Sequence, residues 1–220
     1  MSFDDLTIRY LLITEPGLFE FLDVRGNEIL YIGENDFFEL GLVFPPKTEA
    51  MEKDELIADI EQTINWLTKT IDPETYNLVP FEGSWTAGQV VEHVTIVAAG
   101  FDNLLKGSVE PTTRPVDAQV ERIKTMFLDM SQKAVAGASV TPVLGDYDMQ
   151  QHLAKLDVII PSIINSVATL DLNMTCTGFD IPTFGNLTRL EAVYFFLFHT
   201  KRHVNQLENI VKILNKYQPQ

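Results

Sequence analysis

Residues 198–210 read FHTKRHVNQLENI, and they place two histidines, His199 and His203, four positions apart in a chain that has only four histidines in all. On a helix, positions four apart lie about 40° apart around the axis and roughly 5–6 Å apart at Cβ, so the two rings point the same way. Their arc also carries Ala192, Phe196, Gln206, Ile210 and Leu214, whereas Glu191, Lys201, Arg202, Glu208, Asn209 and Lys212 lie away from its centre. The pair therefore faces the apolar side of a helix expected over residues 188–216. There a charged imidazolium is costly and a neutral one needs a partner.

Working back along the chain, residues 84–94 read SWTAGQVVEHV. Thr86 and Gln89 have capping-box spacing, which opens a helix expected to run to about Leu105. His93 shares an arc with Gln89, Val90, Ile96, Val97, Gly100 and Leu104, so it too is expected to point inward. Two further segments have helical period: residues 51–71, with Leu56, Ile60, Ile64, Leu67 and Ile71 on one face, and residues 149–170, interrupted by Pro161. A long connection over residues 107–148 contains a shorter amphipathic stretch, residues 115–131, that opens on Pro115 as a first-turn residue. The economical assembly is mainly α: a four-helix bundle with one long crossover between its second and third helices.

The first fifty residues have a different texture. Short aromatic and β-branched runs, TIRYLLIT, LFEFLDV, EILYIG and FFELGLVF, are separated by turn signals and followed by Pro45 and Pro46. They predict a small antiparallel β meander, halted where proline removes the ladder donors. The domain division expected from sequence is thus 1–50 for the β extension and 51–220 for the bundle.

Composition sets outer limits. There are 220 residues, 45% hydrophobic and 21% charged, with 31 acidic against 16 basic side chains and a formal charge of −15. With no Lys/Arg cluster, nucleic acid and anionic membrane surfaces are not expected partners, because binding them rests on phosphate neutralisation. Cys176 is the only cysteine, which rules out an intrachain disulfide and points to a cytoplasmic location. It is read as a semi-buried loop filler rather than a nucleophile. The start lacks the pattern of a signal peptide, and no apolar run approaches the roughly 20 residues of a membrane span.

Three interior histidines from two helices suit a first-row divalent metal, each neutral ring giving one nitrogen and holding its other N–H on an acceptor. The competing reading is two core histidines bonded to neighbours, with His93 unrelated. His152, beside Gln150 and Gln151, is read as structural.

SWTAGQVVEHV, followed by DIPTFGNLTRLEAVYFFLFHTKRHVNQLENI, resembles the DinB-like (YfiT-like) family of metal-dependent enzymes. These are four-helix bundles with one histidine on the second helix and an H-x-x-x-H pair on the fourth. The resemblance implies His93, His199 and His203 as metal ligands. It is supported by Trp85, by the P-x-F-G-x-L-T run at residues 182–188 and by Gln206, and it spans about residues 51–216. The first fifty residues have no counterpart in the family. MEKDELIADI at Met51 resembles a family start and leaves translation from Met51 open.

Three neutral imidazoles leave a metal its full charge, able to activate water or hold a thiol as thiolate. Zinc is the first expectation, with nickel and iron as alternatives. The family implies transfer of a low-molecular-weight thiol cosubstrate to a small electrophile, as in thiol S-transferases, or metal-dependent hydrolysis; a non-catalytic metal-stapled bundle acting in protein association is the third reading. No protein nucleophile is evident. Gln206, one turn beyond His203, is either an orienting group beside the metal or, by preference, a buried amide bonded to a neighbouring helix. A small-molecule substrate and a homodimer complete the expectation, the dimer resting on the resemblance and on the strand edge of a short meander.

Overall fold

The computed structural model describes residues 10–15, 18–22, 28–33, 49–131 and 136–217, and side chains from residue 52 to 216 within these. The chain divides into two compact units, Met1–Thr48 and Glu49–Gln220. In the first unit, β1 (Tyr10–Glu15), β2 (Leu18–Leu22) and β3 (Glu28–Gly33) form an antiparallel sheet in the order β1-β2-β3. Tyr10 lies opposite Leu22, and Leu18 opposite Gly33. Three of the four expected runs are strands; the fourth, FFELGLVF, and the prolines at 45 and 46 lie outside the described residues.

The second unit is a four-helix bundle made of α1 (Glu49–Thr70), α2 (Ala87–Lys106), α4 (Met149–Thr169) and α5 (Arg189–Tyr217). Helix α3 (Val120–Leu128) lies in the crossover and packs on α5. Around the bundle, α2 packs against α4 and α5, and α1 against the same two, so α1 and α2 are diagonal. The core is what the apolar periods require: Leu56, Ile60 and Leu67 of α1, Val90, Val94 and Ala98 of α2, Leu156, Ile163 and Val167 of α4, and Val193, Phe196, Leu197 and Leu207 of α5 are all buried. Burying a side chain of this kind is worth roughly 1.5–3 kcal/mol, which is why these faces, rather than helix propensity, hold the elements in place.

Helix α2 starts where its capping box puts it. The Thr86 amide donates to Gln89 Oε1 at 2.9 Å, and the Gln89 amide to Thr86 Oγ1 at 3.1 Å. The same first turn is pinned from outside: the Gly88 amide donates to the Tyr76 carbonyl at 2.8 Å, and a Cβ on Gly88 would stand 2.8 Å from Asn77 Oδ1. Only glycine permits that approach of the α1–α2 connection.

Several details depart from the sequence reading. Glu191, expected to lie away from the interior, is completely buried. Its carboxylate accepts from Nη1 and Nη2 of Arg114, each at 2.6 Å, from the Gln119 amide at 2.8 Å and from the Thr188 amide at 2.9 Å. Thr188 Oγ1 accepts the Glu191 amide at 3.1 Å in return, a capping box that begins α5. The same carboxylate explains the late start of α3 at Val120 instead of Pro115: it takes the Gln119 amide, while the Thr188 hydroxyl donates to the Val116 carbonyl at 2.6 Å, holding residues 116–119 in turns. Two short strands were not expected either, β4 (Val109–Glu110) and β5 (Thr175–Cys176), which pair antiparallel. Cys176 is accordingly fully buried, not semi-buried, and burial pushes its thiol pKa up, the opposite of nucleophile activation.

Candidate metal centre

The period of four on α5 and the capped start of α2 bring His93, His199 and His203 to one point between the two helices. Each is buried, at 3%, 6% and 8% exposure. His93 Nε2 lies 2.9 Å from His199 Nε2, and His203 Nε2 lies 3.2 Å from the same atom. One ligand nitrogen from each ring falls within a 4.8 Å group, a donor set that can hold a metal ion. Ligands at roughly 2.0–2.1 Å in a tetrahedral arrangement stand about 3.3 Å apart, close to the spacing of the two pairs that share His199.

Two of the rings are oriented from behind. His93 Nδ1 lies 2.7 Å from the Val140 carbonyl oxygen, which belongs to a short 3₁₀ turn, Ala138–Val140, in the crossover. A carbonyl only accepts, so Nδ1 carries the hydrogen and Nε2 is left with its lone pair. His203 Nδ1 lies 2.8 Å from Gln206 Oε1, with the same consequence. Gln206 therefore bonds the ring one turn before it on its own helix, where the sequence reading preferred a neighbouring helix. The Val140 carbonyl was missed altogether. A main-chain acceptor 47 residues away leaves no mark in the residue pattern.

Aromatic rings close the surroundings. Trp85 stands 5.3 Å from the His93 ring, Phe127 of α3 meets His199 edge-on at 5.4 Å, and Phe195 stacks on it at 6.3 Å. In this setting the charged form of each imidazole is disfavoured. Burial lowers the pKa of His93; burial, then the His203 and His93 rings, hold His199 well below its ordinary range; burial followed by His93 takes His203 down to about 3. All three are neutral near pH 7, as imidazole ligands must be. Arg202 adds positive charge beside His199 and His203, and its guanidinium donates to the Phe127 and Asp129 carbonyls at 3.1 Å, fastening the end of α3 to α5.

His152 is elsewhere. Its Nδ1 accepts from the Tyr76 hydroxyl at 2.6 Å and its Nε2 donates to Glu92 Oε2 at 2.8 Å, so both ring nitrogens are engaged. Burial lowers its pKa, with Glu92 opposing, and burial raises that of Tyr76. This buried relay joins the α1–α2 connection, α2 and α4, as a structural histidine should.

Three neutral imidazoles converging between two helices of a four-helix bundle define a helical bundle with a donor set able to hold a metal ion. The chain belongs to the DinB superfamily, whose sequence model matches residues 56–207, a span that includes all three histidines. The resemblance drawn from the motifs is thereby borne out. The chain is also similar to the uncharacterized protein YuaE of Bacillus subtilis (strain 168), with 24% identity over 146 residues that cover 64% of this chain and 86% of YuaE. Among solved structures it is similar to TT2238, a four-helix bundle protein, with a TM-score of 0.47 and 22% identity over 71% of this chain and 98% of that one. Among the described residues, no helix is long and apolar enough to cross a membrane.

Proposed function

We propose that this protein is a metal-dependent enzyme in which His93, His199 and His203 hold a divalent metal, zinc first, that serves a reaction between a small thiol and a small electrophile. The carrying observation is the convergence of three Nε2 atoms, two of them with lone pairs fixed inward by Val140 and Gln206. A metal so held would supply Lewis acidity toward a thiol or water. The chain's own part is to keep three rings neutral, to orient two of them and to wall the centre with Trp85, Phe127 and Phe195, surroundings that favour an apolar electrophile over a highly charged one. Metal-dependent hydrolysis uses the same site with water in place of the thiol.

A second reading, a metal that only staples α2 to α5, is favoured by how deeply the rings are buried. One assay separates these readings. Zinc- and nickel-loaded protein is incubated with small thiols plus a generic electrophile, and in parallel with activated esters. Thiol-dependent turnover lost in His203→Ala supports transfer, and ester cleavage without thiol supports hydrolysis. Loaded protein no better than His203→Ala on any substrate leaves the staple.

A further inference from the structure

The three rings of the centre are not equivalent, and the difference lies at Nδ1. His93 and His203 each have an acceptor there, Val140 and Gln206, so both keep a hydrogen on Nδ1 and a lone pair on Nε2. His199 Nδ1 is buried with no hydrogen-bond partner among the described residues. Its neighbours are the apolar rings of Phe127 and Phe195.

The two fixed lone pairs face His199 Nε2 from 2.9 and 3.2 Å. A third lone pair at that point would meet two others head-on. A hydrogen on His199 Nε2 instead satisfies both, as a shared bond weighted toward the nearer His93. Without metal, His199 is therefore the Nε2–H tautomer, while its two partners are Nδ1–H tautomers. A metal needs the lone pair of all three Nε2 atoms.

We propose that His199 is the switching ligand of this centre: metal entry moves its hydrogen from Nε2 to Nδ1, while His93 and His203 keep theirs in place. The inference rests on the metal-centre reading above. In the exchange the Nε2–H bond breaks with its proton passing to water, an Nδ1–H bond forms with a proton taken from water, the freed Nε2 pair would go to the metal, and the proton count of the three neutral rings is unchanged. The new Nδ1–H finds no acceptor among the described residues, and an unsatisfied buried donor is unfavourable. His199 is thus the least supported of the three donors.

The test is long-range ¹H–¹⁵N correlation of the histidine side chains in the full-length chain, metal-free and after addition of Zn²⁺ alone, above the imidazole titration range. The expected result is an Nε2–H pattern for His199 that becomes Nδ1–H on zinc addition, with His93 and His203 in the Nδ1–H pattern throughout. A metal-free His199 already protonated on Nδ1, or a tautomer change at His93 or His203, overturns the switch and leaves the metal centre standing. Zinc that changes none of the three rings overturns the metal centre and the switch with it.

Discussion

Gln206 is the residue on which the orientation of His203 depends. Its Oε1 holds the Nδ1 hydrogen at 2.8 Å, and an acceptor behind a metal-bound histidine typically accounts for about 10–100-fold in metal affinity. Gln206→Leu is therefore expected to weaken zinc binding by about that factor in a chelator competition, with helix content unchanged, while Gln206→Glu, which keeps an acceptor, retains most of it. Equal affinity in the wild type and the Leu variant would remove the orienting role. The depressed pKa of His203 has a second consequence. In the metal-free protein this ring titrates near 3, against an ordinary value of 6.5, so between those values the unfolded chain binds the extra proton and the folded one does not. Stability is full above pH 6.5 and is lost as pH falls toward 3, and His93 and His199, also lowered, act in the same direction. Urea midpoints of metal-free protein should fall progressively over that window, and less steeply in His203→Phe. At this scale the sequence showed the inward histidines, because a period of four on an apolar face is a residue pattern. It could not show Val140, which contributes only a main-chain carbonyl, or His199 Nδ1, whose lack of a partner among the described residues is a fact of tertiary packing.

Among the elements, α3 and the start of α5 depend on one side chain. Glu191 caps α5 through Thr188, accepts the Gln119 amide at the start of α3 and binds Arg114 with both oxygens. Glu191→Ala removes all of these together. Arg114 is 31% exposed and remains solvated, so the loss expected is about 2–3 kcal/mol, nearer to a lost cap plus two hydrogen bonds than to a stranded buried charge. A denaturant midpoint within error of wild type would contradict this. Since α3 carries Phe127 against His199, and its far end is fastened by Arg202, the variant should also expose the centre to faster loss of metal to chelator. The four long helices were legible because each has an apolar face of three turns or more, and the capping box of α2 because it is local. The turns before α3 and the two-residue strands were not. They are set by tertiary bonds to Glu191 and by pairing between Val109–Glu110 and Thr175–Cys176, too short for any alternation to register. The Thr188/Glu191 box has the same local signature as that of α2, and attention to spacing instead of charge would have found it.

Across the whole molecule the sequence carries a formal charge of −15, which favours association with cations in general, while the centre itself is built from neutral imidazoles with a guanidinium beside it, so a divalent ion held there would keep its charge. The helical unit that contains it includes the whole of the part that matches the DinB superfamily, and the three-stranded unit before it falls outside that match. Whether any chemistry proposed here is available turns on one property, stoichiometric metal bound by three histidines. Elemental analysis of tag-free, full-length protein after zinc reconstitution and gel filtration tests it directly, alongside the His199→Ala/His203→Ala double variant and His152→Ala. The expected result is about one divalent ion per chain in the wild type and in His152→Ala, and almost none in a double variant that keeps its helical circular dichroism. Wild-type protein that retains no metal, or a folded double variant that retains as much as the wild type, would contradict the account.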